Sequence, residues 1–577
     1  MNPNSQPTNP GNLFIAVILS MALLLGFHFF YERPKLEEMR RAQALQQAAK
    51  TLDKAAPEKV LTPETPKDRA ALIVASKRIK IDSPALQGSI NLTGARFDDL
   101  ALPRYRAALD PASPPVTLLS PSGSLTPTPG YYADFGWLAD APLSVPQTDT
   151  VWQVDGNDKL RPGAPVTMHW ENGEGLRFER SIALDDNYMF TITDRVRNQN
   201  DKPVTIHPYA LIMHQTKPDQ RDLAFGHTGP MGVFEGVLQE HGYGSLEEKL
   251  EIIETSVGGW MGFSDKYWLT ALIPNPTEKF TATFRHAREP TQKAEQGRYQ
   301  VDFRGAPVTI APQTTQDYTR HFFAGAKRVE LLSAYSEQLN IEKFELAIDF
   351  GWFRFLTKPM LLTLNWLGEQ LGSVGLAILV LTILVKLLVL PLGIKSYRSM
   401  AKMKILQPEM ARLQERFKDD RQRFSIEMME VYKREKISPL SGCLPLLAQM
   451  PVFFALYKVL YIGIEMRHAP FFGWIQDLSA PDPSNLINLF GLLPFTAPAF
   501  LHIGAWPILM GVSMFFLQKM SPAPTDPIQK SVITWMPVMF TIMLAPTMPA
   551  GLIIYWTWSN LISMLQQYLI FRRIAKH

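Results

Sequence analysis

The chain of 577 residues is 46% hydrophobic and 19% charged, with a formal net charge of +4 and one cysteine, Cys443. That count excludes a disulfide-held domain and a cysteine metal cluster. The near-neutral average hides two unlike parts: apolar runs at 13–31 and from 373 onward, and between them a sequence of globular proportions.

Residues 13–31 read as a retained membrane anchor. The apolar section is longer than a signal h-region, no Lys or Arg precedes it, and Glu32, Arg33, Pro34 and Lys35 stand where a cleavage site needs small residues. A linker, first helical and then rich in Pro and Thr, is expected over 32–69. From 70 to 345, short β-branched and aromatic segments alternate with turn residues, which predicts a large antiparallel β-sandwich. Strands are expected at 71–75, 78–81, 88–92, 178–184, 188–196, 204–211, 268–273, 280–286, 298–303 and 316–323. Asp185, Asp186 and Asn187 form the turn between 178–184 and 188–196. His207, His214 and His227 lack ligand spacing, the phosphate-binding glycine motifs are absent, and Gly258 and Gly259 are expected to turn Trp260 against a sheet. Helical turns close the domain over 330–353, with Gly351 and Pro359 interrupting any long helix, and 346–371 suit an amphipathic helix lying in the membrane interface.

The run 372–393 is long enough to span a bilayer and carries Lys386. At about 1.5 Å per residue the lysine lies roughly 20 Å into a hydrocarbon layer about 30 Å thick. A charge at such depth costs about 2.5–3.5 kcal/mol on insertion scales, so its amine either snorkels to the headgroups or faces a wet cavity, the cheaper home.

Residues 394–440 carry apolar positions at 4-3 spacing, Met410, Leu413 and Phe417 before Asp419 and Asp420, then Phe424 and Met428 after them. This predicts a short antiparallel coiled-coil hairpin, with Pro408 in the first turn of its first helix. Further apolar segments at 443–464, 502–517, 532–548 and 552–571 bring the spans to six, while 486–501, broken by Pro494 and Pro498, stays unassigned. Between 395 and 436 there are twelve Lys/Arg against seven Asp/Glu, whereas 466–485 has Arg467 alone. The positive-inside rule then puts the hairpin and both termini in the cytoplasm and residues 32–370 outside. Polar side chains gather in the later spans without a carboxylate in the middle of any, which disfavours a proton-coupled transporter and favours a greasy site that attracts an anion.

Several passages carry a resemblance: MAKM at 400–403, LQP at 406–408, EMMEVYK at 427–433, SPLSGCLPLLAQMPVF at 438–453, WIQDLSAPDP at 474–483, MGVSMFFLQKMSP at 510–522 and GLIIYWTWSNL at 551–561. They resemble the YidC-type membrane protein insertases over 350–571, and the anchor and outer domain look like the Gram-negative form. The resemblance implies a multi-domain membrane protein: a six-span helical bundle made of five core helices and an N-terminal anchor, a periplasmic all-β supersandwich, and a cytoplasmic helical hairpin. In domain terms this is 1–31 anchor, 32–69 linker, 70–345 sandwich, 346–371 interfacial helix, 372–393 second span, 394–440 hairpin, 441–571 remaining spans and 572–577 tail. It implies an inner-membrane insertase, not an enzyme, with no cofactor or metal and no nucleic-acid sequence recognition. The implied partners are nascent membrane proteins, ribosomes, the SecYEG translocon with its accessory proteins, and membrane lipids. A cytoplasm-open groove would involve Lys386, Gln449, Tyr555, Trp556 and Asn560, and a greasy contact surface Phe453, Phe454, Met536 and Met539. Lys386 stands where the family usually has arginine, which keeps the charge and loses the bidentate fork. Two other readings of the residues remain open at this level: a channel or secondary transporter, and an anchored periplasmic scaffold.

Overall fold

The computed structural model describes residues 67–140, 142–217, 226–287, 297–351, 353–417, 420–435, 444–489, 493, 503–522, 527–544 and 547–574. The expectations for the anchor, the linker up to residue 66, Asp419, Cys443 and most of 486–501 lie outside them. The described chain forms two compact units, one of residues up to 366 together with 455–470, the other of 367–454 and 471 onward.

The first unit is built on a nine-stranded and an eleven-stranded sheet, nearly all antiparallel. Strict alternation does much of this: Leu176–Leu184 reads buried and half-exposed in turn, so one face meets the core and the other water. It pairs with Met189–Asn198, Leu184 opposite Phe190. The turn between them is fixed by Asp185, whose Oδ1 accepts the amides of Asn187 and Met189, each at 2.9 Å. The expected strands from 78 onward are present, most of them with an end shifted or extended by one to three residues and Trp268–Ile273 with the expected bounds. The expected strand at 71–75 is instead a short helix, α1 (Arg69–Val74), with no buried residue. Its apolar side chains have no sheet face to cover, so the two alanines' helix propensity decides the backbone.

The sheets meet through aromatics. Phe97 and Phe135, on the eleven-stranded sheet, pack edge-on against each other and against Phe322 of the nine-stranded sheet at 5.4–5.5 Å between centroids. Beside them a charge cluster is sealed in. Asp194 accepts Arg180 Nε at 2.6 Å and also pairs with Arg320, whose Nη1 reaches the carbonyl of Tyr209 across the sandwich at 3.3 Å. Gly258 and Gly259 have φ of +70° and +102°, and a Cβ on Gly259 would lie 2.1 Å from the Val233 carbonyl oxygen. That turn sets Trp260, fully buried, against Phe344 at 5.4 Å. A second short helix, α2 (Tyr243–Lys249), precedes an edge strand, and α3 (Val329–Gln338) with a 3-10 turn at Phe344–Ala347 closes the unit.

Helix α4 (Arg354–Leu371) runs unbroken through Pro359. It buries Met360, Leu361, Leu364 and Leu367 while leaving Phe355 and Trp366 exposed, so both of its faces carry apolar side chains. Helix α5 (Val374–Arg416) is one element of 43 residues that continues through Pro391 and Pro408, where a separate hairpin helix was expected to begin. A proline inside a helix costs about 3 kcal/mol through its missing N–H, and the many bonds of so long a helix outweigh it. Ser373 caps its start, the hydroxyl accepting the Leu376 amide at 3.4 Å. Helix α6 (Arg421–Arg434) forms the second arm, capped by Asp420, which accepts the Arg423 amide at 2.9 Å. The arms pair through Arg434 and Glu409 at 2.8 Å.

The remaining helices are α7 (Leu444–Ile462), whose residues from 455 count with the sandwich unit, α8 (Ala505–Met520), α9 (Pro527–Leu544) and α10 (Ala550–Ile574). Among the described residues only α5 holds a stretch both long and apolar enough to cross a membrane, with shorter apolar stretches at Gln449–Ile462 and Lys530–Met543. The helices are inverted relative to a water-soluble core: Leu388 is 81% exposed, and Trp535, Met543 and Leu565 also face outward. Apolar surface on this scale requires an apolar surrounding.

Candidate functional site: a tethered ammonium among helices α5, α7 and α10

Lys386 stands on α5 three turns beyond the Ser373 cap, among Val, Leu and Ile. Its side chain is half-buried. Nζ donates to Gln449 Oε1 of α7 at 3.0 Å and to Ser563 Oγ of α10 at 2.9 Å. Gln449 in turn donates through Nε2 to the Tyr555 hydroxyl of α10, and Tyr555 is buried. Among the described residues no carboxylate pairs with this ammonium. A cation is therefore held in the helical unit by neutral acceptors, which orient it without cancelling its charge.

Of the residues expected around the lysine, Gln449 and Tyr555 join it directly. Asn560 does not: its amide donates to Ser513 Oγ at 2.9 Å and ties α10 to α8. Trp556 turns to the other side, with Phe453 of α7 at 4.8 Å and Phe540 of α9 at 5.8 Å. Beside this aromatic trio, Phe454 and Met539 are exposed, Met539 at 66%, and Met536 is half-buried. The polar set and the greasy set thus meet at Tyr555 and Trp556, adjacent residues on α10 that face different neighbours. In the hairpin, Met410 is buried, Leu413, Phe417, Phe424 and Met428 are half-buried, and the guanidiniums of Arg416 and Arg423 lie 5.5 and 5.7 Å from the Phe417 ring. Ser563 is the residue the sequence reading missed. Its place four residues after Ser559 and eight after Tyr555, on one stripe of α10, is the signal that was available.

Among its described residues the sandwich unit holds its histidines in structural roles. His207 is held between Asp140 at 2.8 Å and the Gly305 carbonyl at 3.1 Å, and burial pushes His214 down to about 4, a neutral core side chain. No group of His, Cys, Asp and Glu among the described residues could hold a metal ion.

Fold and site together define a class: a membrane protein with a large β-sandwich domain, whose helical unit carries a lysine ammonium held by neutral acceptors. The sequence matches the family profile described as "YidC periplasmic domain" over residues 78–363 and that described as "60Kd inner membrane protein" over 366–577. It is 45% identical to the protein named "Membrane protein insertase YidC" of Methylorubrum extorquens (strain PA1), covering 97% of this chain and 95% of the relative. The protein of the same name from Rhizobium meliloti (strain 1021) is 47% identical, with 98% and 96% covered. A solved structure described as an active YidC insertase with its first transmembrane domain resolved aligns over 92% of this chain and 99% of its own at 15% identity and a TM-score of 0.36, too low to add to the case. The chain belongs to the YidC family of membrane protein insertases.

Proposed function

We propose that this protein integrates nascent membrane proteins into the bacterial inner membrane and that Lys386 receives the polar, acidic part of the substrate. The observation that carries the reading is the ammonium of Lys386 held by Gln449 and Ser563 with no carboxylate beside it among the described residues. A translocated tail is expensive to move because its carboxylates lose water. A cation already desolvated and oriented lowers that cost at the depth where it is greatest. Phe453, Phe454, Met536, Met539 and Trp556 would guide the apolar segment, whose passage into lipid supplies the driving force at roughly 25 cal/mol per Å². No nucleotide or metal enters this scheme, and no bond is made or broken.

The same reading makes 13–31, α5, and the spans built on α7 to α10 six crossings, with both termini and the hairpin cytoplasmic and the sandwich periplasmic. Support comes from the Lys/Arg excess at 395–436 and its near absence from 466–485. Helix α4 would lie at the interface with Phe355 and Trp366 in lipid. Ribosomes and SecYEG with its accessory proteins are the partners that fit an insertase of this kind. Channel and scaffold readings find no observation in their favour. Lys386→Ala is expected to lower insertion of a substrate with an acidic translocated tail about tenfold relative to one with a neutral tail, the worth of one charge-assisted contact. Protease protection in reconstituted vesicles measures it, and equal loss for both tails would overturn electrostatic capture.

A further inference from the structure

Lysine is a poor choice for a fixed charge. Its four-carbon stem is flexible, and its ammonium gains by swinging to water. Something must hold it, and the hydrogen bonds around Lys386 show what does.

Ser563 Oγ lies 2.9 Å from Lys386 Nζ and 2.9 Å from the Ser559 carbonyl one turn earlier on α10. A hydroxyl has one proton, and the carbonyl can only accept, so that proton goes to Ser559 and the lone pairs turn to Lys386. Gln449 is oriented by the same logic: its Nε2 is engaged by the Tyr555 hydroxyl, which leaves Oε1 toward the ammonium. Two acceptors of fixed direction, on α7 and α10, thus occupy two of the ammonium's three donors. Ser563 is itself buried, at 7% exposure.

We infer that Ser563 is a positioning residue: by accepting from Lys386 it keeps the ammonium inside the helical unit with one donor open, and so sets the preference for substrates whose translocated segment carries a carboxylate. The inference rests on the reading of Lys386 given above and assigns the control of that charge to a residue 177 positions away. Without the hydroxyl, Gln449 alone restrains the stem, the ammonium spends part of its time at the rim, and acidic segments lose the advantage over neutral ones.

The test uses the full-length protein in vesicles and a pair of substrates differing only in an acidic or neutral tail, with the ratio of their initial insertion rates as readout. Ser563→Ala is expected to lower the acidic-to-neutral ratio about fivefold, and Ser563→Thr, which keeps the hydroxyl, to restore it. In a Lys386→Ala background Ser563→Ala should shift the ratio no further, because the two act through one group. Equal slowing of both substrates, failure of threonine to rescue, or an undiminished effect in the Lys386→Ala background would each overturn the tether. A ratio untouched by Lys386→Ala itself would overturn the reading beneath it. A ratio lowered by Lys386→Ala but untouched by Ser563→Ala would overturn the tether alone.

Discussion

Asp194 and Lys386 meet the same difficulty, a charge away from bulk water, with opposite outcomes. Asp194 sits between two guanidiniums, and although burial opposes ionisation, Arg180 and Arg320 hold its carboxyl below the usual carboxylate range. The cluster is buried, and the rings of Trp152, Trp137, Phe135 and Tyr318 lie 4.9–6.0 Å from its guanidiniums. Removing its centre leaves two buried cations without a counter-charge, so Asp194→Ala is expected to destabilise the sandwich by about 3–5 kcal/mol. Thermal unfolding of the detergent-solubilised protein, followed by tryptophan fluorescence, measures it. Lys386 has hydrogen bonds and, among the described residues, no opposite charge beside it, so it keeps a field to offer. The sequence marked Lys386 because depth along a helix can be counted from residue numbers. It did not mark Ser563, since depth says nothing of azimuth and the partner lies on another helix.

Elements were legible where period and burial agree. Strands such as Trp268–Ile273 appear with the expected bounds, because alternation and flanking turns point the same way. Prolines misled, since Pro359 and Pro408 sit inside continuous helices whose packing outweighs a local rule. Helix starts also depend on residues far from them. Helix α8 has Gly504 at its N-cap, with no side chain to cap it. Asp482 supplies the missing acceptor from the preceding loop: it takes the Trp506 amide at 2.9 Å, the Trp474 indole N–H at 2.9 Å and the Ser484 hydroxyl at 2.7 Å. At 1% exposure it has little water to fall back on, and its charge complements the helix N-terminus. Asp482→Ala is expected to cost about 1–2 kcal/mol, the upper range for a lost cap. Faster hydrogen exchange at the first amides of α8, with the sandwich unaffected, would locate the loss there.

At the scale of the molecule, contacts join stretches that composition keeps apart. Residues 455–470 belong with the sandwich and not with the helices that follow them. Lys458 pairs with Asp349, and Arg467 donates to the Arg106 carbonyl at 2.7 Å across 361 positions, contacts that no local pattern encodes. Glu465 sits in the same junction. Burial pushes its carboxyl up to about 7, against help from its hydrogen bonds and from Arg328, with Glu330 adding to the rise. A carboxyl whose folded pKa lies above its unfolded value near 4.5 binds a proton more readily in the folded state. Its contribution is therefore fully present below about pH 4.5 and is lost as pH rises through about 7. Glu465→Gln keeps the shape and removes the ionisation. It should leave stability near that of the parent at pH 5 and raise it at pH 8, on the order of 2 kcal/mol once partial solvent exposure is allowed for. Melting temperatures of parent and variant measured side by side from pH 5 to 8 should diverge steadily across that range. Parallel curves would mean that Glu465 meets enough water to ionise freely, and that the junction between 455–470 and the sandwich is wetter than its packing implies.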